Sequence, residues 1–216
     1  MRLPVATKIV CVGRNYAAHA RELGNDVPER PLLFLKPPSS LIGAGDAIVL
    51  PQDSARVEHE AEIALYISRR ARHVSATEAL ACVAGFAALN DVTARDLQQL
   101  DVQFTRAKGY DTFCPVAAPV ALHARAEGAL VRTFVVDWRD LEVIARVNGD
   151  VRQHGRAADM IFGIPDLIAY ITRIMTLGPG DIIATGTPAG VGPLRAGDVV
   201  DIEIPGVSRI SNPVTA

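Results

Sequence analysis

The run Glu58-His59-Glu60-Ala61-Glu62 leads directly into Ile63-Ala64-Leu65-Tyr66-Ile67, an apolar stretch with the composition of a β-strand. Successive side chains of a strand point to opposite faces, so Glu60 and Glu62 point the same way. Two carboxylates on one face repel unless positive charge lies between them, and a hard divalent cation meets that need. A solvated edge strand with both glutamates outward fits the same spacing. Downstream, in Asn90-Asp91-Val92-Thr93-Ala94-Arg95-Asp96, a third carboxylate follows the Ala-rich segment Ala79–Leu89, which places Asp91 at an element end near the core. Glu60, Glu62 and Asp91 are therefore the candidate ligands of a Mg²⁺ or Mn²⁺ site.

With 216 residues, 49% of them hydrophobic and 21% charged, the chain suits a single domain over residues 1–216. Its net charge of -2 is spread over mixed signs, and no Lys/Arg cluster resembles a phosphate-backbone footprint, which argues against nucleic acid as a partner. Met1 to Lys8 lacks the apolar stretch of a signal peptide, and no segment is long enough to span a bilayer. Cys11, Cys82 and Cys114 are odd in number and form no C-x-x-C pair, so they read as buried free thiols in a reducing compartment. A cytoplasmic protein with no membrane contact is expected.

Glycine and proline punctuate short apolar runs. Ile9–Val12 predicts a strand entering the turn Gly13-Arg14-Asn15, with Asn15 capping a helix from Tyr16 to Leu23 and Gly24 ending it. Leu32–Lys36 reads as a short strand between proline breakers. Gly45-Asp46, Gly180-Asp181 and Gly197-Asp198 each open an apolar strand. Ser75-Ala76-Thr77-Glu78 fits a capping box and predicts an Ala-rich helix towards Leu89, and Pro165 predicts another that Gly178 stops. Val131–Val147 suggests two strands around a turn near Arg139-Asp140, and Asn148-Gly149 is a hairpin signal. The fold class is α+β with a large mixed β body.

Three further clusters can carry chemistry. His19 and Glu22 lie three apart on the first helix, close enough for the carboxylate to orient the imidazole as a general base; an ordinary surface pair has the same spacing. Thr185-Gly186-Thr187-Pro188-Ala189-Gly190-Val191-Gly192 is a Gly-rich turn without the Lys-Ser/Thr of a Walker loop, so its amides suit a carboxylate or simply a structural turn. Lys108 is an isolated cation that, taken alone, reads as a solvated surface residue.

In order, GRNYAAHAREL, HEAEIAL, NDVTARDLQ, AKGYDTFCPV, VNGDVRQHG, DMIFGIPDLIAYI and GDIIATGTPAGVG resemble the fumarylacetoacetate hydrolase family across almost the whole chain. The resemblance is to its small single-domain members, the acylpyruvate hydrolases and oxaloacetate decarboxylases. It implies a mixed β-roll with a few short helices, a homodimer, and Mg²⁺ or Mn²⁺ on Glu60, Glu62 and Asp91. It also implies Lys108, His19 and Glu22 as catalytic residues, the last two on a segment that closes as a lid. Arg14, Arg95, Gln98, Gly186 and Thr187 would bind the substrate. The reaction so implied is metal-dependent C–C cleavage of a small 2-oxo acid through a metal-stabilised pyruvate enolate, by acylpyruvate hydrolysis or oxaloacetate decarboxylation. Alternatives are an isomerase or decarboxylase of a 2-hydroxymuconate-type dicarboxylate, a sugar-acid dehydratase, and a non-catalytic, metal-stabilised paralogue that binds 2-oxo acids.

Overall fold

A computed structural model describes residues 5–121 and 137–216. Two five-stranded sheets form the body. The first runs in the order Leu32–Lys36, Ile9–Gly13, Ile182–Ala184, Ala61–Ile67, Val83–Asn90. It is mixed: Ile9–Gly13 and Ile182–Ala184 are parallel, and the other neighbours are antiparallel. The second sheet has the order Asp150–Arg156, Glu142–Val147, Val199–Ile204, Ser208–Thr215, Ile48–Val49. One core joins them, with Ile63, Leu65 and Phe86 from the first and Val143, Val200, Ile202 and Ile210 from the second. Among the described residues there are four α-helices: α1 (Ala17–Glu22), α2 (Arg95–Leu100), α3 (Thr105–Lys108) and α4 (Ile164–Ile174). The fold is thus α+β with mixed sheets and few helices, as the sequence predicts. Among the described residues no helix is long and apolar enough to cross a membrane.

The turn chemistry is borne out. Gly45, Gly180 and Gly197 take φ of +83°, +87° and +95°, the left-handed values that glycine adopts without a Cβ clash. Asn148 and Gly149, both at positive φ, link Glu142–Val147 to Asp150–Arg156 as a hairpin. Near Arg139-Asp140 lies a 3-10 turn, Trp138–Asp140; the strand expected before it, from Val131, falls outside the described residues.

Three local expectations are corrected. The Ala-rich segment is not a helix: a 3-10 turn, Ala79–Cys82, gives way to the strand Val83–Asn90. Ser75 Oγ donates to the Glu78 carboxylate at 2.7 Å, side chain to side chain, and no side chain caps the turn. The strand prevails because both its faces are covered, with Phe86, Ala87, Ala88 and Leu89 all buried, so it reads as a continuous apolar run without alternation. Its small residues fit close neighbours: a Cβ on Gly85 would lie 2.7 Å from the Val120 carbonyl oxygen. Gly85→Ala is expected to cost about 1–3 kcal/mol through overpacking, read as a lower denaturant midpoint at unchanged slope.

Asn15 does not cap α1. Its side-chain amide donates to the carbonyls of Phe162 (3.1 Å) and Thr185 (2.8 Å), and its oxygen accepts from the Phe162 N–H (2.8 Å). It pins three chain segments together, a use that outweighs a local cap. Helix α4 starts around Pro165 as predicted but ends at Ile174, before Gly178, whose N–H goes to Asp181 (2.7 Å) in the following turn.

Candidate metal and substrate site

Strand register assembles the acidic cluster. Ala61 pairs with Asn90, the Asp91 N–H donates to the Glu60 carbonyl (2.8 Å), and Asn90 Oδ1 accepts from the Glu60 N–H (3.0 Å). Asp91 is thereby held beside the two glutamates, and carboxylate oxygens of Glu60, Glu62 and Asp91 lie within 4.8 Å of one another. All three residues are buried, which removes the solvated-edge reading.

Lys108 is also buried. It ends α3, and its ammonium donates to Glu60 (2.8 Å) and Asp91 (2.7 Å). Its Nζ lies 5.0 Å from the centroid of the Phe34 ring. Arg95, at the start of α2, donates to Glu58 at 2.7 Å and to Glu60, and its guanidinium also reaches Gln98. Two buried charges escaped the sequence reading. Lys36 donates to Asp91 (2.6 Å) and to the Val92 carbonyl (3.1 Å). Glu58 is fully buried between Arg95 and the half-exposed Arg56. The signal for Lys36 was parity, since it shares a strand face with Phe34, which lines the cavity.

The cluster alternates charge along Glu58, Arg95, Glu60, Lys108, Asp91 and Lys36. Glu62 stands outside this alternation: it accepts the Gly186 N–H (2.7 Å) and has no ion-pair partner among the described residues. Burial, then Asp91 and Glu60, hold its carboxyl well above the usual range. Burial would raise Glu60 too, yet Lys108 and Arg95 overcome it and hold that carboxyl below the usual range. Burial works against charge on Lys108, but Asp91 and Glu60 outweigh it and raise its pKa. Three buried oxygen donors with one negative charge uncompensated suit a hard divalent cation, and Glu60, Glu62 and Asp91 would hold it.

The carboxylates open on a cavity of about 210 Å³. That is smaller than the roughly 300–1,000 Å³ clefts of drug-sized ligands and suits a small acid. Arg14, His19, Arg95, Gln98, Lys108 and Thr187 line it with the three carboxylates, and Leu23, Leu32, Phe34 and Phe104 form an apolar side. His19 is buried, and its Nδ1 lies 3.3 Å from Glu22. Glu22 in turn accepts the Gly190 N–H (3.0 Å), which ties α1 to the Gly-rich turn.

Glu22 and Gly186 do not line the cavity. The two groups expected to grip a substrate carboxylate, at Gly186 and Thr187, are engaged within the protein. The Gly186 amide serves Glu62, while the Thr187 hydroxyl donates to the Ala61 carbonyl (2.9 Å) and accepts from Gln153 (2.7 Å). Arg95 likewise differs from a free substrate anchor, because Glu58 and Glu60 already engage it. Cys11, Cys82 and Cys114 are free and buried, as expected.

Residues 8–215 match the family model described as fumarylacetoacetate (FAA) hydrolase C-terminal. A mitochondrial oxaloacetate tautomerase of Arabidopsis thaliana is 45% identical over 208 residues, covering 94% of this chain and 89% of the relative. The structure of a 5-carboxymethyl-2-hydroxymuconate delta-isomerase from Mycobacterium smegmatis superposes with a TM-score of 0.85 at 42% identity, covering 98% of this chain and 79% of that one. Fumarylpyruvate hydrolase from Pseudomonas aeruginosa, solved with Mn²⁺ and pyruvate, gives a TM-score of 0.87 at 26% identity, over 100% and 91% of the two chains. With its acidic triad, its buried lysine and a family match over nearly its full length, this chain belongs to the fumarylacetoacetate hydrolase family of enzymes.

Proposed function

We propose that this chain is a divalent-metal-dependent enzyme that cleaves a C–C bond in a small 2-oxo acid, by acylpyruvate hydrolysis or oxaloacetate decarboxylation. The observation that carries the reading is the uncompensated Glu62 carboxylate, clustered with Glu60 and Asp91 beside Lys108 and His19 on one cavity. A bound Mg²⁺ or Mn²⁺ would supply Lewis acidity towards the oxygens of the 2-oxo acid. Lys108, buried beside Glu60 and Asp91, would stabilise the negative charge that the C2 oxygen gains as the substrate becomes an enolate. Arg14 and Gln98, which also line the cavity, would bind the distal group.

In hydrolysis, His19 takes a proton from water while the water oxygen bonds to the distal carbonyl carbon. The bond from that carbon to C3 then breaks, leaving a carboxylic acid and the pyruvate enolate, which is protonated at C3. Glu22 orients the imidazole through Nδ1 and leaves Nε2 for this task. In decarboxylation no water is needed: the C3–C4 bond breaks, carbon dioxide leaves, and the same enolate forms. A second reading, proton transfer at C3 without C–C cleavage, is favoured by the tautomerase and isomerase names of relatives above 40% identity. His19 would then move the C3 proton itself. The buried free cysteines fit a reducing compartment.

The test is pyruvate release from acetylpyruvate and from oxaloacetate, with Mg²⁺ or with EDTA. Metal-dependent release is expected, and the ratio between substrates separates hydrolysis from decarboxylation. Oxaloacetate enolised without pyruvate release would replace this reading with the second. His19→Ala is expected to keep metal affinity while lowering acetylpyruvate hydrolysis about 10²–10⁴-fold, measured by initial rates and calorimetric Mn²⁺ titration. Hydrolysis at the wild-type rate in that variant would remove His19 from the mechanism.

A further inference from the structure

Gln153 is buried on the strand Asp150–Arg156 of the second sheet, yet its side-chain amide bonds to the segment that carries Glu60 and Glu62 and to the turn that carries Thr187. Its oxygen accepts the Ala61 N–H at 2.9 Å and faces His59 Nδ1 at 3.0 Å. Its nitrogen donates to Thr187 Oγ1 and to the Pro188 carbonyl, both at 2.7 Å. The Thr187 hydroxyl then donates to the Ala61 carbonyl at 2.9 Å.

Ala61 is the residue between the two glutamates. Further along the same strand, Ala64 pairs with Ala184 of Ile182–Ala184, and the strand pairing ends there. The polar groups of Ala61 on this side meet Gln153 and Thr187 in place of a strand. Fixing this residue at both its N–H and its C=O fixes the directions in which Glu60 and Glu62 leave the backbone.

The opposite end of the amide reaches the Gly-rich turn, and two residues beyond Pro188 the Gly190 N–H holds Glu22. A Cβ on Gly190 would lie 2.2 Å from the Arg152 carbonyl oxygen and 3.3 Å from Gln153 Cγ, so this turn rests directly on the strand that carries Gln153. We propose that Gln153 is a positioning residue that sets the carboxylate-bearing strand and the Glu22–His19 support in one mutual geometry. The inference rests on the reading of Glu60, Glu62 and Asp91 as metal ligands.

Groups that orient metal ligands without touching the metal typically change affinity about 10–100-fold when removed. Mn²⁺ titration of the full chain by calorimetry, without substrate, reads this directly. Gln153→Met, close in shape and without the amide, is expected to weaken Mn²⁺ binding about 10–100-fold. Asn212→Ala is the control for stability alone: that buried amide donates to the Gly43 and Asp46 carbonyls (2.7 and 2.8 Å) and does not line the cavity. It should lower the melting temperature and leave Mn²⁺ affinity within about twofold.

Where Gln153→Met does not fold, Gln153→Glu keeps the acceptor for Ala61 and loses the donor to Thr187 and Pro188. It should bind Mn²⁺ within a few-fold of wild type while kcat falls more than KM rises. Equal Mn²⁺ affinity in wild type and Gln153→Met, or equal weakening by Asn212→Ala, would overturn the positioning role. A Gln153→Glu enzyme with wild-type kcat would do so too. Absence of Mn²⁺ binding in wild type would overturn the metal reading itself, and the positioning role with it.

Discussion

Replacing Glu62 with glutamine is expected to abolish metal-dependent turnover and, in the same protein, to raise stability in the absence of metal. The two signs have one cause. Glu62 is buried beside Asp91 and Glu60 and lacks a cation of its own, so without metal its charge is a cost. The amide keeps the shape and still accepts the Gly186 N–H, which should gain about 1–3 kcal/mol in EDTA. Mn²⁺ at a hundredfold excess over its Kd should stabilise wild type by about 2.7 kcal/mol and leave Glu62→Gln almost unmoved. Thermal melts with Mn²⁺ and with EDTA check both signs.

The pH dependence follows from the same carboxyl. Its folded pKa lies above the ordinary 4.5, so between those values the folded chain holds a proton that the unfolded chain has released. Stability from this group is complete below about 4.5 and is lost as pH rises through the folded value. Metal-free wild type should therefore lose stability with rising pH over that window, and Glu62→Gln should flatten the loss. A metal-free wild type that becomes steadily more stable over that window would contradict the assignment.

Lys108→Met is expected to be the most damaging single change to the cluster. Lys108 bridges Glu60 and Asp91 in the interior, so its removal leaves two buried carboxylates without their shared cation. Breaking a buried pair from one side costs about 3–5 kcal/mol, and here both acids lose a partner. Lys36 still pairs with Asp91 and Arg95 with Glu60, which should keep the chain folded. Mn²⁺ should restore part of the lost stability, because it supplies positive charge to the same oxygens. Turnover should still fall about 10²–10³-fold with metal saturating, since the metal does not replace a charge set against the developing oxyanion. Denaturation midpoints with and without Mn²⁺ and kcat at saturating metal are the measurements; unchanged kcat would take Lys108 out of the chemistry.

Much of this was legible before the structure because the acidic residues break a local rule. Glu60 and Glu62 flank an apolar strand where core belongs, and that inconsistency marked the site. Gly-Asp turns and Asn148-Gly149 were readable because left-handed backbone strongly restricts residue choice. Tertiary packing defeated local patterning at Ala79–Leu89, where helix propensity and a capping-box spacing pointed one way and two covered strand faces decided the other. Asn15 and Gln153 were misread or missed for a related reason. A side-chain amide carries no periodic signal, and its partners lie far away in the chain, at Phe162 and Thr185 for Asn15 and at Ala61, Thr187 and Pro188 for Gln153. Lys36 and Lys108 look like surface lysines in sequence. Only the strand register and the turn of α3 reveal that each ends on a buried carboxylate.

The most direct test of the central claim is hydrogen exchange at C3 of pyruvate in D₂O, followed as loss of the methyl proton signal by NMR. In the proposed chemistry, enolate formation is the step common to hydrolysis, decarboxylation and proton transfer. Exchange accelerated by protein plus Mg²⁺, absent with EDTA and absent in Glu62→Gln, is the predicted result. Exchange no faster than in buffer, with Mg²⁺ saturating and the protein folded, would contradict it.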